Sequence, residues 1–229
     1  MAKNTDILSD HFKGTEKSLS ICFGKDHISE LMDAIRKEYA ILAPEMPYIG
    51  GEENMFTEWL IYGVYYLAVH RVLQSEGLSL EEGGKIIFDA FEAMADYPRW
   101  MLRAAARLKY SERYVQRLKA AAVQTQERRF PGDWVAEFIE GDGVEFDYGL
   151  DITECGICKF YRSMDAEELA PYLCLSDFVV SRAMDRGLVR YKTLAEGSEV
   201  CDFRFKRGRE TFVNPLRSGW PPKFLNIDS

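Results

Sequence analysis

At Pro131-Gly132 the hydrophobic pattern of this chain changes period, and that change constrains the fold more than any other feature. Before it, apolar residues recur at helical spacing. After it, Val144, Phe146, Tyr148, Leu150 and Ile152 alternate strictly with Glu145, Asp147 and Asp151, which predicts a strand with one buried face over 144–152. Trp134 to Ile139 reads as its antiparallel partner, joined through the turn-rich Glu140-Gly141-Asp142-Gly143. A second hairpin is expected from Leu188 to Leu194 and from Val200 to Phe205, around Glu196-Gly197-Ser198. Between the hairpins, a short helix follows Cys155 and another spans Ser176 to Arg186, ended by Gly187.

Upstream of the change the pattern is helical. Ile28, Leu31, Met32, Ile35 and Tyr39 predict an amphipathic helix over 27–42, with Asp26 as its N-cap, stopped by Pro44 and Pro47. Residues 54–76 form a second helix that is apolar nearly all round, the mark of an element buried on most sides. Ser79 and Glu82 make a capping-box pattern that opens a third helix through Met94. Pro98 interrupts it, and short helices run to about Lys109 and from Ser111 to Gln126. Residues 1–24 show no period and read as a loose arm. The organisation is therefore an arm (1–24), a helical region (25–130), an antiparallel sheet carrying a cysteine cluster (131–206) and an irregular tail (207–229). The fold class is α+β: a helical N-terminal half followed by a mostly antiparallel four-stranded sheet with inserted helices.

Composition narrows the partners. The net charge of −8 over 229 residues argues against nucleic acid or an anionic membrane as the main partner. Residues 99–129 hold nine Lys or Arg against two acids, whereas 131–154 hold eight acids and no base. That reads as a solvated basic face, or as one packed near the acidic sheet. The longest apolar run, Trp59 to Val69, is well short of the ~18 residues that mark a membrane span. The polar N-terminus lacks an export-type apolar core, so a cytoplasmic protein with reduced thiols is expected. A homodimer is compatible with so helix-rich a chain.

Four of the five cysteines fall between Cys155 and Cys201: Cys155, Cys158, Cys174 and Cys201. Asp177, Arg190, Asp202 and Arg204 lie in the same stretch. Three readings compete. The cysteines could be small buried hydrophobes. They could hold a tetrahedral metal, although a zinc ribbon would bring a second CxxC pair. Or one could be a nucleophile whose thiolate is favoured by a cation, a base or a helix N-terminus. Arg190 and Arg204 would supply the positive charge, and Asp177 would accept a proton or orient water. Cys174 and Asp177, three apart, would share the face of one helical turn. His11 in the arm, His27 at a helix start and His70 on the buried helix read as structural.

The segments ITEC, LCLSDF and RYKTLAEGSEVCDFRF resemble the L-2-amino-thiazoline-4-carboxylic acid hydrolase family. Its pattern of a strand ending in Cys, then Cys-x-x-Asp-Phe, then Arg-x-x-Thr with Gly, then Cys-Asp-Phe-Arg falls here on Cys155; Cys174, Asp177 and Phe178; Arg190, Thr193 and Gly197; Cys201, Asp202, Phe203 and Arg204. Cys158 stands outside that pattern. The closing segment is also similar to 4-vinyl-reductase-type ligand-binding domains, which share an α+β fold. The resemblance implies a small-molecule substrate and hydrolysis of a cyclic amidine, with water adding at C2 of the thiazoline and the C–S bond opening to N-carbamoyl-cysteine. It implies Cys155, Cys174, Asp177 and Cys201 as the catalytic group, and Arg190, Thr193, Asp202 and Arg204 as substrate contacts. A zinc or manganese ion held by Cys174, Asp177 and Cys201 is the metal-dependent variant. The alternative function is a non-catalytic sensor domain for a small molecule or metal.

Overall fold

The computed structural model describes residues 7–95, 100–101, 104, 107–108 and 110–211. The expected break at Pro98, most of the helix toward Lys109 and the tail from 212 lie outside the described residues. The chain forms two compact units, Met1–Asp96 with Gly156–Ser176, and Tyr97–Cys155 with Asp177–Ser229.

The first unit is helical. It contains α1 (Ser9–Leu19), α2 (Lys25–Leu42), α3 (Thr57–Ser75), α4 (Leu80–Met94), α6 (Gly156–Ser163) and α7 (Ala170–Cys174). The expected loose arm is instead largely the helix α1. Apart from Leu19, its buried side consists of His11, Gly14, Thr15 and Ser18, small or polar residues that leave no apolar period to read. Hydrogen bonds serve where apolar side chains are missing. Ser18 Oγ donates to the Ile86 carbonyl at 2.9 Å, and the Tyr65 hydroxyl donates to Thr15 Oγ1 at 2.9 Å. Gly14 lets α1 lie against α4, because a Cβ there would come within 2.6 Å of the Ala90 carbonyl oxygen.

Helix α3 is the centre of this unit. Leu60, Val64, Tyr65, Tyr66, Leu67, Ala68, Val69 and Leu73 are all fully buried, as its all-round apolar pattern requires. Truncating Leu67 to Ala would cost about 2–5 kcal/mol, from lost burial and the cavity left behind. The capping box opens α4 as expected, with Ser79 and Glu82 bonded reciprocally. Gly24, not Asp26, occupies the N-cap of α2. Helix α6 is tied to α3 where the Tyr161 hydroxyl donates to the Gly63 carbonyl at 2.9 Å.

The second unit holds the four-stranded antiparallel sheet, in the order β1 (Val135–Glu140), β2 (Tyr148–Glu154), β4 (Cys201–Phe205), β3 (Leu188–Val189). Helices α5 (Glu112–Thr125) and most of α8 (Ser176–Ala183) belong to it. β2 begins four residues later than the alternation suggests. The Asp142 carboxylate accepts the backbone N–H groups of Val144 (2.8 Å) and Glu145 (2.7 Å), a local turn that withdraws them from the ladder. The second hairpin is shorter than expected for a similar reason: the Asp202 side chain takes the N–H groups of Tyr191 and Lys192.

Register assigns the sheet's two faces. Tyr148 pairs with Phe205, Leu150 with Phe203 and Ile152 with Cys201, so these six share one face. Gly149, Asp151, Asp202 and Arg204 lie on the other. Helix α5 packs against β1, burying Leu118, Ala122 and Thr125. Its basic side chains meet the acidic strands: Lys119 pairs with Glu140 at 2.5 Å, and Arg128 pairs with Glu154. The charge blocks seen in the sequence are therefore partly neutralised within this unit.

Candidate active site

Asp177 stands in the first turn of α8, and Arg190 directly follows β3. The Arg190 guanidinium donates from Nη1 to Asp177 Oδ2 at 2.5 Å. It also lies between two aromatic rings, 4.7 Å from the centroid of Phe178 and 5.0 Å from that of Phe203. Its side chain is only 3% exposed, while that of Asp177 is 42% exposed. The cation is thus sealed in, while the Asp177 side chain is part-exposed with its carboxylate packed among protein atoms. Desolvation raises the Asp177 carboxyl above the usual aspartate range, and the charge of Arg190 pulls against that rise. A carboxylate of raised basicity can accept a proton from water.

Cys201 begins β4 beside this pair. Burial pushes its thiol up to about 12, against the Leu194 N–H that it accepts at 3.1 Å. Cys155, Arg190 and Asp177 all act on its charge, so the four side chains form one electrostatic group within the second unit. Burial thus disfavours the thiolate form of Cys201. Cys155 is half-buried and occupies the position between the end of β2 and the first residue of α6.

The remaining expected contacts have other partners. Arg204 and Asp202 are on the sheet face opposite Cys201. Arg204 Nη1 donates to Asp151 Oδ1 at 2.6 Å, and Asp202 anchors the Tyr191–Lys192 turn. Thr193 is buried and caps the short helical turn Leu194–Glu196, its hydroxyl accepting the Glu196 N–H at 3.2 Å. Cys174 ends α7 in the first unit, and Asp177 stands in the first turn of α8 in the second.

A family model for L-2-amino-thiazoline-4-carboxylic acid hydrolase matches residues 56–205. The chain belongs to this family. The family region starts one residue before α3 and ends on the last residue of β4, so it takes in Asp177, Arg190, Cys155 and Cys201 and leaves out α1 and α2. No curated protein and no solved structure gives a significant match.

Among the described residues no group of three or more His, Cys, Asp or Glu side chains is placed to hold a metal ion. Asp177 is engaged by Arg190. The histidines are structural in the first unit. His11 is buried on α1, with Nδ1 3.0 Å from the Tyr66 hydroxyl, and burial lowers its pKa to about 4. His70 is buried on α3, and His27 pairs with Glu30 and Glu76. Among the described residues no helix is long and apolar enough to cross a membrane.

One residue of the second unit went unnoticed in the sequence. Arg186, just beyond the end of α8, sets its guanidinium 4.1 Å from the centroid of the Phe205 ring. Its position between Asp185 and Gly187 was the only sequence signal, since it falls outside every motif position.

Proposed function

We propose that the chain is a hydrolase that opens a small cyclic amidine such as 2-amino-thiazoline-4-carboxylate to N-carbamoyl-cysteine. The observation that carries this reading is the Asp177–Arg190 pair, with its cation sealed, set in one electrostatic group with Cys155 and Cys201. Family membership supports the substrate class.

In this reading Cys155 is the nucleophile. A thiol immediately ahead of a helix is where a thiolate is favoured, whereas burial disfavours the thiolate of Cys201. The Cys155 sulfur bonds to C2, the C2=N electron pair moves to the ring nitrogen, and that nitrogen takes the thiol proton. The exocyclic nitrogen's electron pair then forms a C=N bond as the C2–S ring bond breaks, and a proton of that nitrogen passes to the ring sulfur, which leaves as the cysteine thiol of the product. Water next bonds to the same carbon, Asp177 taking one proton and passing it to the exocyclic nitrogen as the C=N pair returns there. The hydroxyl oxygen then forms the C=O bond as the bond to Cys155 breaks, its proton restores the thiol, and the carbon becomes the urea carbonyl of N-carbamoyl-cysteine. One water is consumed overall, and Arg190 keeps Asp177 oriented through both halves.

The test is incubation of reduced protein with 2-amino-thiazoline-4-carboxylate, with product followed by mass. Appearance of N-carbamoyl-cysteine supports the reading. Saturable binding without product would instead place the chain with non-catalytic ligand-binding domains.

A further inference from the structure

Cys155 and Cys158 are the only two of the five cysteines set three residues apart. Cys155 is the residue between β2 and α6, and Cys158 is the third residue of α6. They therefore occupy the N-cap and N3 positions, whose side chains meet across the first turn of a helix in a capping box. One short stretch of chain sets their approach, so it depends on the start of α6 and on nothing more distant. Side chains three apart on a helix have Cβ atoms about 5–6 Å apart, and a disulfide needs about 3.5–4.5 Å. A small shift of the terminal turn closes that gap, and helix ends fray readily.

The two thiols lie away from the packed face of α6. Ile157 sits against α3 at Gly63, where a Cβ would come within 3.1 Å of it, and Phe160 and Tyr161 are buried. Positions 157, 160 and 161 are thus the packed face. Cys155, Cys158 and Arg162 fall together on another side of the helix, and the Arg162 side chain is 71% exposed. Both cysteines are half-buried thiols. The other three lack this setting. Cys201 begins β4, where burial disfavours its thiolate, Cys174 ends α7, and Cys22 follows α1. Cys158 has no part in the hydrolytic steps above, which leaves its thiol available for another role.

We propose that Cys155 and Cys158 are a redox modification site, a reversible disulfide that withdraws the nucleophile and stops hydrolysis. The Cys155 thiolate, favoured ahead of a helix, attacks one sulfur of a low-molecular-weight disulfide. An S–S bond forms to Cys155, and the other half leaves as a thiolate. Cys158 gives its proton to that thiolate and attacks the Cys155 sulfur. The Cys155–Cys158 bond forms, and the second half leaves as a thiolate that takes the proton Cys155 had released. Two protein thiols are oxidised, and one small disulfide is reduced to two thiols. A disulfide in so short and part-exposed a loop is of the labile kind that small thiols reduce again. The effect on activity rests on the hydrolase reading, and the crosslink does not. The product of that reaction is itself a cysteine-type thiol, so its own disulfide belongs to the class that closes the pair.

The test uses reduced wild type and C158S, treated with glutathione disulfide and then with dithiothreitol. Remaining thiols are alkylated at each stage. Trypsin, cutting after Arg129 and Lys159, isolates Cys155 and Cys158 in one peptide with no other cysteine. Turnover of 2-amino-thiazoline-4-carboxylate is measured alongside. The expected result in wild type is a 155–158 crosslink, a fall in turnover of at least ~10-fold, and recovery on reduction. C158S should turn over within about twofold of wild type when reduced, and should keep glutathione as a mixed disulfide on Cys155 when oxidised. Oxidised wild type in which Cys155 and Cys158 are not joined overturns the dithiol, and turnover by the reduced protein then leaves the hydrolase reading standing. A crosslink with turnover unchanged overturns the switch, and with it Cys155 as the nucleophile. A crosslink in a protein that shows no turnover when reduced overturns the hydrolase reading and leaves the dithiol. Neither crosslink nor turnover overturns both. Should C158S fail to fold, the wild-type peptide map and its turnover decide.

Discussion

Arg190 and Asp177 form an asymmetric ion pair: their 2.5 Å contact joins an arginine side chain that is 3% exposed to an aspartate side chain that is 42% exposed. The pair therefore has two functions with different sensitivities. It compensates a buried cation, and it holds a basic carboxylate in place.

Asp177→Asn separates the two. Removing the carboxylate leaves Arg190 enclosed between Phe178 and Phe203. Losing one member of a buried pair costs about 3–5 kcal/mol, and the exposure of Asp177 reduces this to about 1–2 kcal/mol. Activity is expected to fall by about 10²–10⁴-fold, the usual contribution of a positioned general base. Urea unfolding and kcat/KM report the two losses separately.

The acid side of the pH–rate profile follows from the same residue. Asp177 acts as a base only when ionised, so kcat/KM falls as pH drops through its pKa. Desolvation raises that pKa above the ordinary aspartate value, and Arg190 opposes the rise. The acid limb should lie above the usual aspartate range and move to still higher pH in Arg190→Gln, where the opposing charge is gone. A limb that moves down, or stays in place, would contradict this.

Arg204 offers a control on the sheet's opposite face. Its bond to Asp151 is part-exposed, so Arg204→Ala should lower stability by about 1 kcal/mol or less and leave KM unchanged. A clear rise in KM would show that this face contributes to substrate binding.

Thiol reactivity should follow burial. With Cys201 pushed up to about 12, alkylation of the folded protein at mildly alkaline pH should spare it while exposed Cys22 reacts. Peptide mass mapping reads the order, and early labelling of Cys201 would contradict the assignment.

His11 links the helical unit to acid stability. Its pKa is about 4 when folded and 6.5 when unfolded, so between these values the unfolded chain binds the extra proton. Stability should be complete above pH 6.5 and decline as pH falls toward 4, by about 3 kcal/mol. His11→Gln should flatten that part of the curve.

Much of this was legible in the sequence, and the failures have physical causes. The alternation Tyr148-Leu150-Ile152 and the apolar α3 announced the sheet and the central helix. Helix α1 was hidden because its buried side is His11, Gly14, Thr15 and Ser18, whose contacts are hydrogen bonds. The strand start at Val144 was misread because one side chain, Asp142, captures the N–H groups that a strand would use. The motif residues Asp177 and Arg190 are bonded in the structure and Cys201 lies near them, but spacing along β4 could not say that Arg204 faces away from Cys201. That depends on register with β2.

The most direct measurement is turnover of 2-amino-thiazoline-4-carboxylate by wild type and Cys155→Ala side by side, read as N-carbamoyl-cysteine by mass. The account predicts product from wild type and a loss of at least ~10³-fold in the variant, with its fold intact by circular dichroism. Equal turnover by both proteins would remove Cys155 from the chemistry, and no product from wild type would contradict the hydrolase assignment itself.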